Sequence, residues 1–160
     1  MREDVRVRRD EDAVARFVER FAVLLTEAGM PRMPSRVFAR LLVIDDGKAT
    51  AAELADSLHV SPAAISGAVR YLDQVHLAHR SRDPGERRDH YEVTDDLWYE
   101  VFADRDKLFE VWAGLMADGV TAVGQDSPAG HRLDQSRRLF EFLREELPLV
   151  MEKWRAQEGR

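Results

Sequence analysis

The sequence of 160 residues contains no cysteine. This absence excludes disulfide bonds, thiolate zinc sites and switches that depend on cysteine oxidation. No stretch approaches the roughly 20 consecutive apolar residues that a membrane-spanning helix needs. The first nine residues are mostly charged and lack the apolar centre of a secretion signal. Together these absences predict a protein of the cytoplasm.

Signatures of common catalytic sites are also missing from the sequence. It contains no phosphate-binding glycine loop, no nucleophile elbow and no His-Glu-x-x-His zinc motif. His76 and His79 are three residues apart, but they fall where a helix is expected to give way to a strand, so they do not share a helix face. We therefore expect no enzyme, no metal site and no bound cofactor.

Two short helices joined by a tight turn are predicted between residues 50 and 74. Thr50 and Glu53 have the spacing of a capping box at the start of the first helix. After a two-residue turn, Ser61 is expected to cap the second helix. Pro62 would then be its first residue, where a missing N–H is harmless.

The two faces of the second helix differ in character. Ile65, Val69 and Leu72 recur at helical periodicity and are expected to face the core. The opposite face has small, neutral or hydrogen-bonding side chains and one long cation: Ala63, Ser66, Gly67, Arg70 and Gln74. A plain solvent face would favour strong helix formers such as Glu and Lys, whereas small side chains let a helix approach base edges closely. The pattern favours a recognition helix for the major groove of DNA.

A hairpin is predicted directly after this helix. Residues 77–82 and 90–93 can form two short strands around a strong Asp-Pro-Gly turn. Either Asp83 or Asp89 could hold an arginine in a fixed direction through a bidentate pair. Four arginines cluster on the hairpin, at Arg80, Arg82, Arg87 and Arg88. They suit phosphate or minor-groove contacts, although a solvated charged turn is the simpler alternative.

The order of capped helix, recognition helix, strand, arginine-tipped hairpin (the wing), strand and long helix resembles a winged helix–turn–helix regulator of the MarR family. The motifs lie in residues 29–94, and Gly29-Met-Pro-Arg-Met-Pro and Ser61-Pro-Ala-Ala-Ile-Ser-Gly are similar to the GbsR-like branch. The resemblance implies a homodimer that binds pseudo-palindromic operators, usually as a repressor, and many members of the family release DNA when a small molecule binds. In the family's wing pattern, Asp-x-x-Asp-Arg-Arg, Glu86 here replaces the second Asp.

The resemblance also implies roles for individual residues. It places recognition-helix side chains in the major groove and Arg87 or Arg88 in the adjacent minor groove. The full set predicted to contact DNA is Ser61, Ala63, Ser66, Gly67, Arg70, Gln74, Arg82, Arg87 and Arg88. The net charge of −6 argues against loose polyanion binding by the whole surface, but not against binding by one local face.

A mainly α fold with a small β-hairpin wing is predicted, in three parts. Residues 1–29 form a helix that contributes to dimerisation, residues 30–94 the winged helix–turn–helix, and residues 95–160 long dimerisation helices. A second helix follows Pro34, and the longest starts directly after Thr94. The terminal helices carry more apolar surface than one domain needs, so a partner subunit is expected to cover it. The predicted dimer residues are Phe17, Phe21, Phe140, Leu143, Leu147 and Trp154.

Aromatic residues suggest one further site. Phe38, Trp98 and Phe102 are predicted to line a pocket for a small-molecule effector, although such rings also suit an ordinary core. Two other interpretations of the whole chain stay open. One is a winged-helix module that binds proteins and has lost DNA binding, which the acidic net charge favours. The other is an accessory DNA-binding subunit without an effector.

Overall fold

The computed structural model describes residues 9–103 and 105–159, and the chain divides into two compact units, Met1–Asp95 and Asp96–Arg160. The described part of the first unit contains α1 (Glu11–Glu27), α2 (Arg32–Leu42), β1 (Lys48–Thr50), α3 (Ala51–Leu58), α4 (Pro62–Gln74), β2 (His79–Ser81) and β3 (His90–Glu92). The second contains α5 (Leu97–Ala103), α6 (Arg105–Val123) and α7 (Pro128–Gln157). The predicted mainly α fold with a small hairpin wing is confirmed. None of the described helices is both long and apolar enough to cross a bilayer.

Both predicted caps of the helix pair are present. Thr50 Oγ1 accepts a hydrogen bond from the Glu53 N–H at 3.2 Å, and the Thr50 N–H donates to Glu53 Oε2 at 2.7 Å. These two bonds complete the capping box. Ser61 Oγ accepts from the Ala64 N–H at 3.3 Å, and Pro62 is the first residue of α4. A cap of this kind stabilises its helix by about 1 kcal/mol.

The turn between α3 and α4 depends on one residue in an unusual backbone conformation. His59 has a φ of 54°, in the left-handed region. The His59 N–H donates to the carbonyl of Asp56 at 3.2 Å, and the Val60 N–H donates to the carbonyl of Ala55 at 3.0 Å. This pair of bonds is a Schellman motif, which closes α3 and sends the chain into α4.

The core of the first unit lies around α2, which contacts α1, α3 and α4. Phe38 on α2, Leu54 on α3, and Ile65 and Leu72 on α4 are fully buried. Burying a large apolar side chain contributes about 1.5–3 kcal/mol, so this cluster holds one face of α4 against the body of the unit. The predicted core face of α4 is therefore confirmed.

The start of α2 differs from the prediction. The helix begins at Arg32, whereas the sequence suggested a start after Pro34. Pro34 lies in the first turn of the helix, where the backbone has no intrahelical N–H bond to lose. A proline within three residues of a helix start therefore does not define that start.

The sheet has three strands, in the order β1-β3-β2, and the sequence suggested only two. β3 pairs antiparallel with both neighbours: Tyr91 lies opposite Ala49 on β1 and opposite Arg80 on β2. The two predicted strands of the wing are present but shorter than expected, at three residues each. β1 joins the wing to the residue that caps α3, so the hairpin is attached to the helix pair on two sides.

The second unit is helical throughout its described elements. The sequence suggested that a helix starts directly after Thr94, but a turn occupies residues 95–96 and α5 begins at Leu97. Residue 104 lies between α5 and α6 and outside the described residues, so the continuity of this run is not tested. α7 is 30 residues long and continues through Pro148.

α6 and α7 pack against each other through aromatic rings. The Phe140 ring centroid on α7 lies 6.2 Å from that of Phe109 and 5.1 Å from that of Trp112 on α6. Among the described residues of this unit, the buried apolar ones are Leu97, Ala113 and Met151. Large apolar side chains that stay 41–66% exposed are Trp98, Phe102, Val111, Trp112, Leu115, Val123, Leu139, Phe142, Leu149, Val150 and Trp154. The unit thus buries little of its own apolar surface.

Candidate nucleic-acid interface

One side of α4 is exposed to solvent and carries mostly short side chains. The structure brings five of the predicted contact residues together on its exposed side: Ala63, Ser66, Gly67, Arg70 and Gln74. A Cβ atom added to Gly67 would meet no atom within 4 Å. The described residues therefore leave this stretch of helix backbone accessible to a partner.

Two serines near this surface use their hydroxyl groups locally. Ser61 Oγ accepts the capping bond at the start of α4, and Ser66 Oγ donates to the carbonyl of Pro62 at 3.2 Å. A hydroxyl that donates its single hydrogen keeps its lone pairs as acceptors. Ser66 is therefore prepared to accept a hydrogen bond, for example from the amino group of a base.

Arg70 supplies the one positive charge of this face. It is exposed, and the ion pairs found in residues 9–103 and 105–159 do not include it. A guanidinium that is not committed to a carboxylate keeps its five N–H donors for another acceptor.

The tip of the wing is a tight turn anchored to β1. The Glu86 N–H donates to the carbonyl of Asp83 at 3.0 Å, and Gly85 supplies the positive φ of 86° that a type II turn requires after proline. Lys48 Nζ on β1 donates to Asp83 Oδ2 at 2.8 Å. This hydrogen bond raises the pKa of Lys48 and lowers the pKa of Asp83, so both groups stay charged near neutral pH.

Asp89, and not Asp83, is the carboxylate that holds wing arginines. Arg82 donates from Nε and Nη2 to Asp89 Oδ1 at 2.9 and 2.7 Å, and Arg80 Nη2 donates to Asp89 Oδ2. The alternative that the sequence left open is thereby decided. Arg82 is the only one of these two arginines that belongs to the predicted contact set.

Arg87 and Arg88 differ from that pair. Both are exposed, in a bend directly after the turn. Across the part of the chain that the structure describes, neither lies within 4 Å of a carboxylate oxygen. The wing therefore has two kinds of arginine. Arg80 and Arg82 are paired with Asp89, whereas Arg87 and Arg88 have no carboxylate partner among the described residues.

A cluster of possible metal ligands lies beside the turn. Asp83, Glu86 and His90 each offer one atom within 4.8 Å of the others, and His90 Nε2 lies 3.8 Å from Glu86 Oε2. Lys48 already brings a positive charge to Asp83, and Glu86 is exposed. We assign no metal to this cluster, because Lys48 already binds one of its carboxylates and exposed acidic groups often lie this close together without an ion.

Sequence reasoning missed Lys48 and did not foresee that one carboxylate would bind two arginines. A three-residue strand is too short to show the alternation that identifies strands, so nothing marked Lys48 as part of the sheet. The sequence alone offers both Asp83 and Asp89 as partners for the arginines. Its role depends on the register of β2 and β3, which spacing alone does not specify.

The predicted dimer residues are distributed over both units. Phe17 and Phe21 stack on α1 with ring centroids 5.7 Å apart, and Phe17 is about half exposed. The other four, Phe140, Leu143, Leu147 and Trp154, lie on α7. Trp154 is half exposed, whereas Phe140 packs on α6 within its own unit.

The residues predicted to line an effector pocket also fall in separate units. Phe38 is fully buried in the first unit, with its ring centroid 6.5 Å from that of Phe21. Trp98 and Phe102 stack on α5 at 6.5 Å, and both keep exposed surface. The pocket stays a prediction, and the two α5 residues are the members with surface to offer a ligand.

Comparison with known proteins gives matches to regulators. Residues 96–157 match the family model described as MmpR5-like MarR family transcriptional regulator. Over 134 residues the chain is 25% identical to the HTH-type transcriptional regulator MmpR5 of Mycobacterium tuberculosis (strain ATCC 25618 / H37Rv). This alignment covers 83% of the present chain and 81% of that protein. A solved structure of a transcriptional regulator shares the fold, with a TM-score of 0.79 at 23% identity over 89% of this chain and 97% of the other. The family match lies C-terminal to the motifs of residues 29–94, and the GbsR-like branch stays a prediction.

Proposed function

We propose that the chain is a transcriptional regulator of the MarR type, to which the matches of its second unit and of most of its length point, and that it acts as a homodimer on a pseudo-palindromic operator in duplex DNA. In this proposal it is a repressor in the cytoplasm, and a small-molecule effector releases it. The observation that carries the proposal is the outward face of α4, where Ala63, Ser66, Gly67, Arg70 and Gln74 are exposed and Asp73 is the one exposed acid of the helix, together with an arginine-rich wing in the same unit.

The residue types on α4 suit direct contact with base edges. The major groove is about 12 Å wide and admits a helix, and the missing side chain at Gly67 lets the backbone come close to the bases. Arg70 can donate two hydrogen bonds to guanine, and Gln74 can make a bidentate pair with adenine. The methyl group of Ala63 suits the methyl group of thymine. Sequence readout is therefore assigned to α4.

The wing is assigned to the DNA backbone and the minor groove. Arg87 and Arg88 are exposed and carry their charge on long side chains, which suits phosphates or a narrow groove. The turn bond from Glu86 to Asp83 and the ion pair of Asp83 with Lys48 hold the loop that presents them.

The apolar surface of the second unit supports the dimer. Its helices leave many large apolar side chains half exposed and bury few, which is typical of a surface covered by another chain. A two-fold axis would supply a second α4, and reading consecutive major grooves requires the two helices to lie about 34–36 Å apart. A ligand that binds better to a dimer with another spacing would lower operator affinity, because it shifts the population away from the binding state.

The proposal is tested with the full chain on two duplexes, one from upstream of its own coding region and one of scrambled sequence with the same base composition. We expect tighter binding to the upstream duplex in fluorescence anisotropy, with an affinity that falls steeply with salt. Sedimentation equilibrium should give the mass of two chains. If the affinity is the same for both duplexes and does not change with salt, the result favours the protein-binding module. If a single chain is found on DNA, the dimer is excluded.

Removing both unpaired wing arginines, with Arg87→Ala and Arg88→Ala together, should weaken binding to both duplexes. Each lost phosphate contact flattens the slope of log affinity against log salt by about 0.9. A control, Arg137→Ala with Arg138→Ala, removes two arginines of α7 that pair with Asp134 and Glu141 and should leave the slope unchanged. If the wing variant keeps the wild-type slope, the wing does not contact phosphates.

A further inference from the structure

We propose that Asp89 is a specificity-determining positioning residue: it restrains Arg80 and Arg82 and so limits the binding of DNA without regard to sequence. The inference rests on the proposed function, since it concerns how the same wing meets DNA. Charge alone would suggest only that the carboxylate of Asp89 repels DNA. The inference gives this carboxylate a second role, which is to fix the direction of two arginines.

The geometry shows one carboxylate shared by two arginines. Asp89 is 23% exposed, while the side chains of Arg80 and Arg82 are 59% and 56% exposed. Arg80 occupies Oδ2 of Asp89 and Arg82 occupies Oδ1. Arg80 lies on β2 and Arg82 directly follows that strand, and both guanidinium groups reach the carboxylate of Asp89. The two cations are therefore drawn together over Asp89.

The electrostatics keep this arrangement intact at neutral pH. The hydrogen bond from Arg80, and then the one from Arg82, hold the pKa of Asp89 below its usual value. Asp89 in turn raises the pKa of Arg80, and the charge of Asp73 near the end of α4 adds a smaller effect in the same direction. Arg80 thus lies in the field of acids from both the recognition helix and the wing.

A restrained guanidinium recognises DNA differently from a free one. Arg82 spends two of its five N–H donors on Asp89, so three remain, on a group of fixed orientation. A free arginine on a flexible stem can reach a phosphate on any sequence, whereas a fixed donor set is satisfied only when the acceptor lies in the right place. Asp89 also halves the net positive charge of the trio. Both effects weaken non-specific binding more than operator binding.

The decisive variant is Asp89→Asn in the full chain, measured on the upstream and scrambled duplexes described above. We expect tighter binding to the scrambled duplex and a smaller affinity ratio between the two. If both released arginines gain a phosphate, the salt slope steepens by about 1.8 for each bound chain, a further loss of about tenfold between 50 and 200 mM salt. A role in folding alone does not produce a steeper slope.

Glu86→Gln is the matched control, because it removes the same charge from the wing at a carboxylate that is 3.8 Å from His90 and pairs with no arginine in the described residues. It should leave the affinity ratio and the slope close to wild type, as should Asp89→Glu, which keeps the charge. Thermal unfolding shows whether Asp89→Asn folds, and Asp89→Ala, which also removes the charge, replaces it if it does not.

Three outcomes overturn the inference. If Asp89→Asn keeps the wild-type ratio and slope, the ion pairs do not restrain DNA binding. If it weakens binding equally to both duplexes, Asp89 only supports the hairpin. If wild type itself does not distinguish the duplexes, the proposed function fails, and the inference fails with it. The wild-type measurement therefore separates the two failures.

Discussion

A glutamate at position 67 should abolish operator binding while the protein stays folded. The added side chain meets open space in the structure, because no atom lies within 4 Å of a Cβ built on Gly67. Against DNA the same side chain brings a carboxylate to the base edges and phosphates, where like charge costs several kcal/mol. Gly67→Glu should therefore lower affinity by at least about 100-fold, measured by anisotropy on the upstream duplex.

Gly67→Ala gives a sharper form of this test, because stability and binding should move in opposite directions. Alanine is a better helix former than glycine by about 0.8–1.0 kcal/mol in an exposed helix interior, so the free energy of unfolding should rise. The same methyl group should weaken operator binding if α4 lies close to the bases.

Gly114→Ala is the matched control for that variant. Gly114 lies in α6 and also has no atom within 4 Å of an added Cβ. It should bring a similar gain in stability, measured by thermal unfolding, without a change in DNA affinity. If Gly67→Ala stabilises the protein and leaves operator affinity as it was, α4 does not approach the base edges.

The second large effect is expected at Arg70. Arg70→Ala should cost about 1–3 kcal/mol on the operator if the guanidinium holds a guanine, which is about 5- to 150-fold in affinity. The loss should be much smaller on the scrambled duplex, because a base contact contributes only where the base is present.

Arg132→Ala is the control for charge, since Arg132 is exposed on α7 in the other unit. Arg132→Ala should change the affinity for neither the upstream nor the scrambled duplex. An equal loss on both duplexes with Arg70→Ala would mean that Arg70 touches a phosphate, and sequence readout would then depend on Gln74 and the small residues of α4.

Local chemistry made α3 and α4 predictable from the sequence. The capping box of Thr50 and Glu53, the cap at Ser61 and the proline after it are encoded within a few residues, and the structure contains each of them. The core face of α4 follows from the periodicity of Ile65, Val69 and Leu72, which are all buried. Features that depend on neighbours three or four residues away can be derived without knowledge of the fold.

Features that depend on distant pairing were not predictable in the same way. β1 pairs with β3 across 40 to 44 residues of sequence and has only three residues, so no local pattern indicated it. The choice between Asp83 and Asp89 as partner of the arginines depends on which residues face each other across the hairpin. The contact residues, the dimer and the effector pocket remain predictions, because each needs a partner molecule.

The double pairing of β3 has a consequence for how a signal could travel. β3 is hydrogen-bonded to a neighbour along both of its edges, so the three strands of the sheet resist bending separately. The last residue of β1, Thr50, is also the N-cap of α3. A displacement of the hairpin would therefore move α3, α4 and the wing together as one rigid body. Under the proposed function, an effector would then lower operator affinity by changing the orientation of this rigid unit in each chain of the dimer, while the internal structure of the unit stays the same.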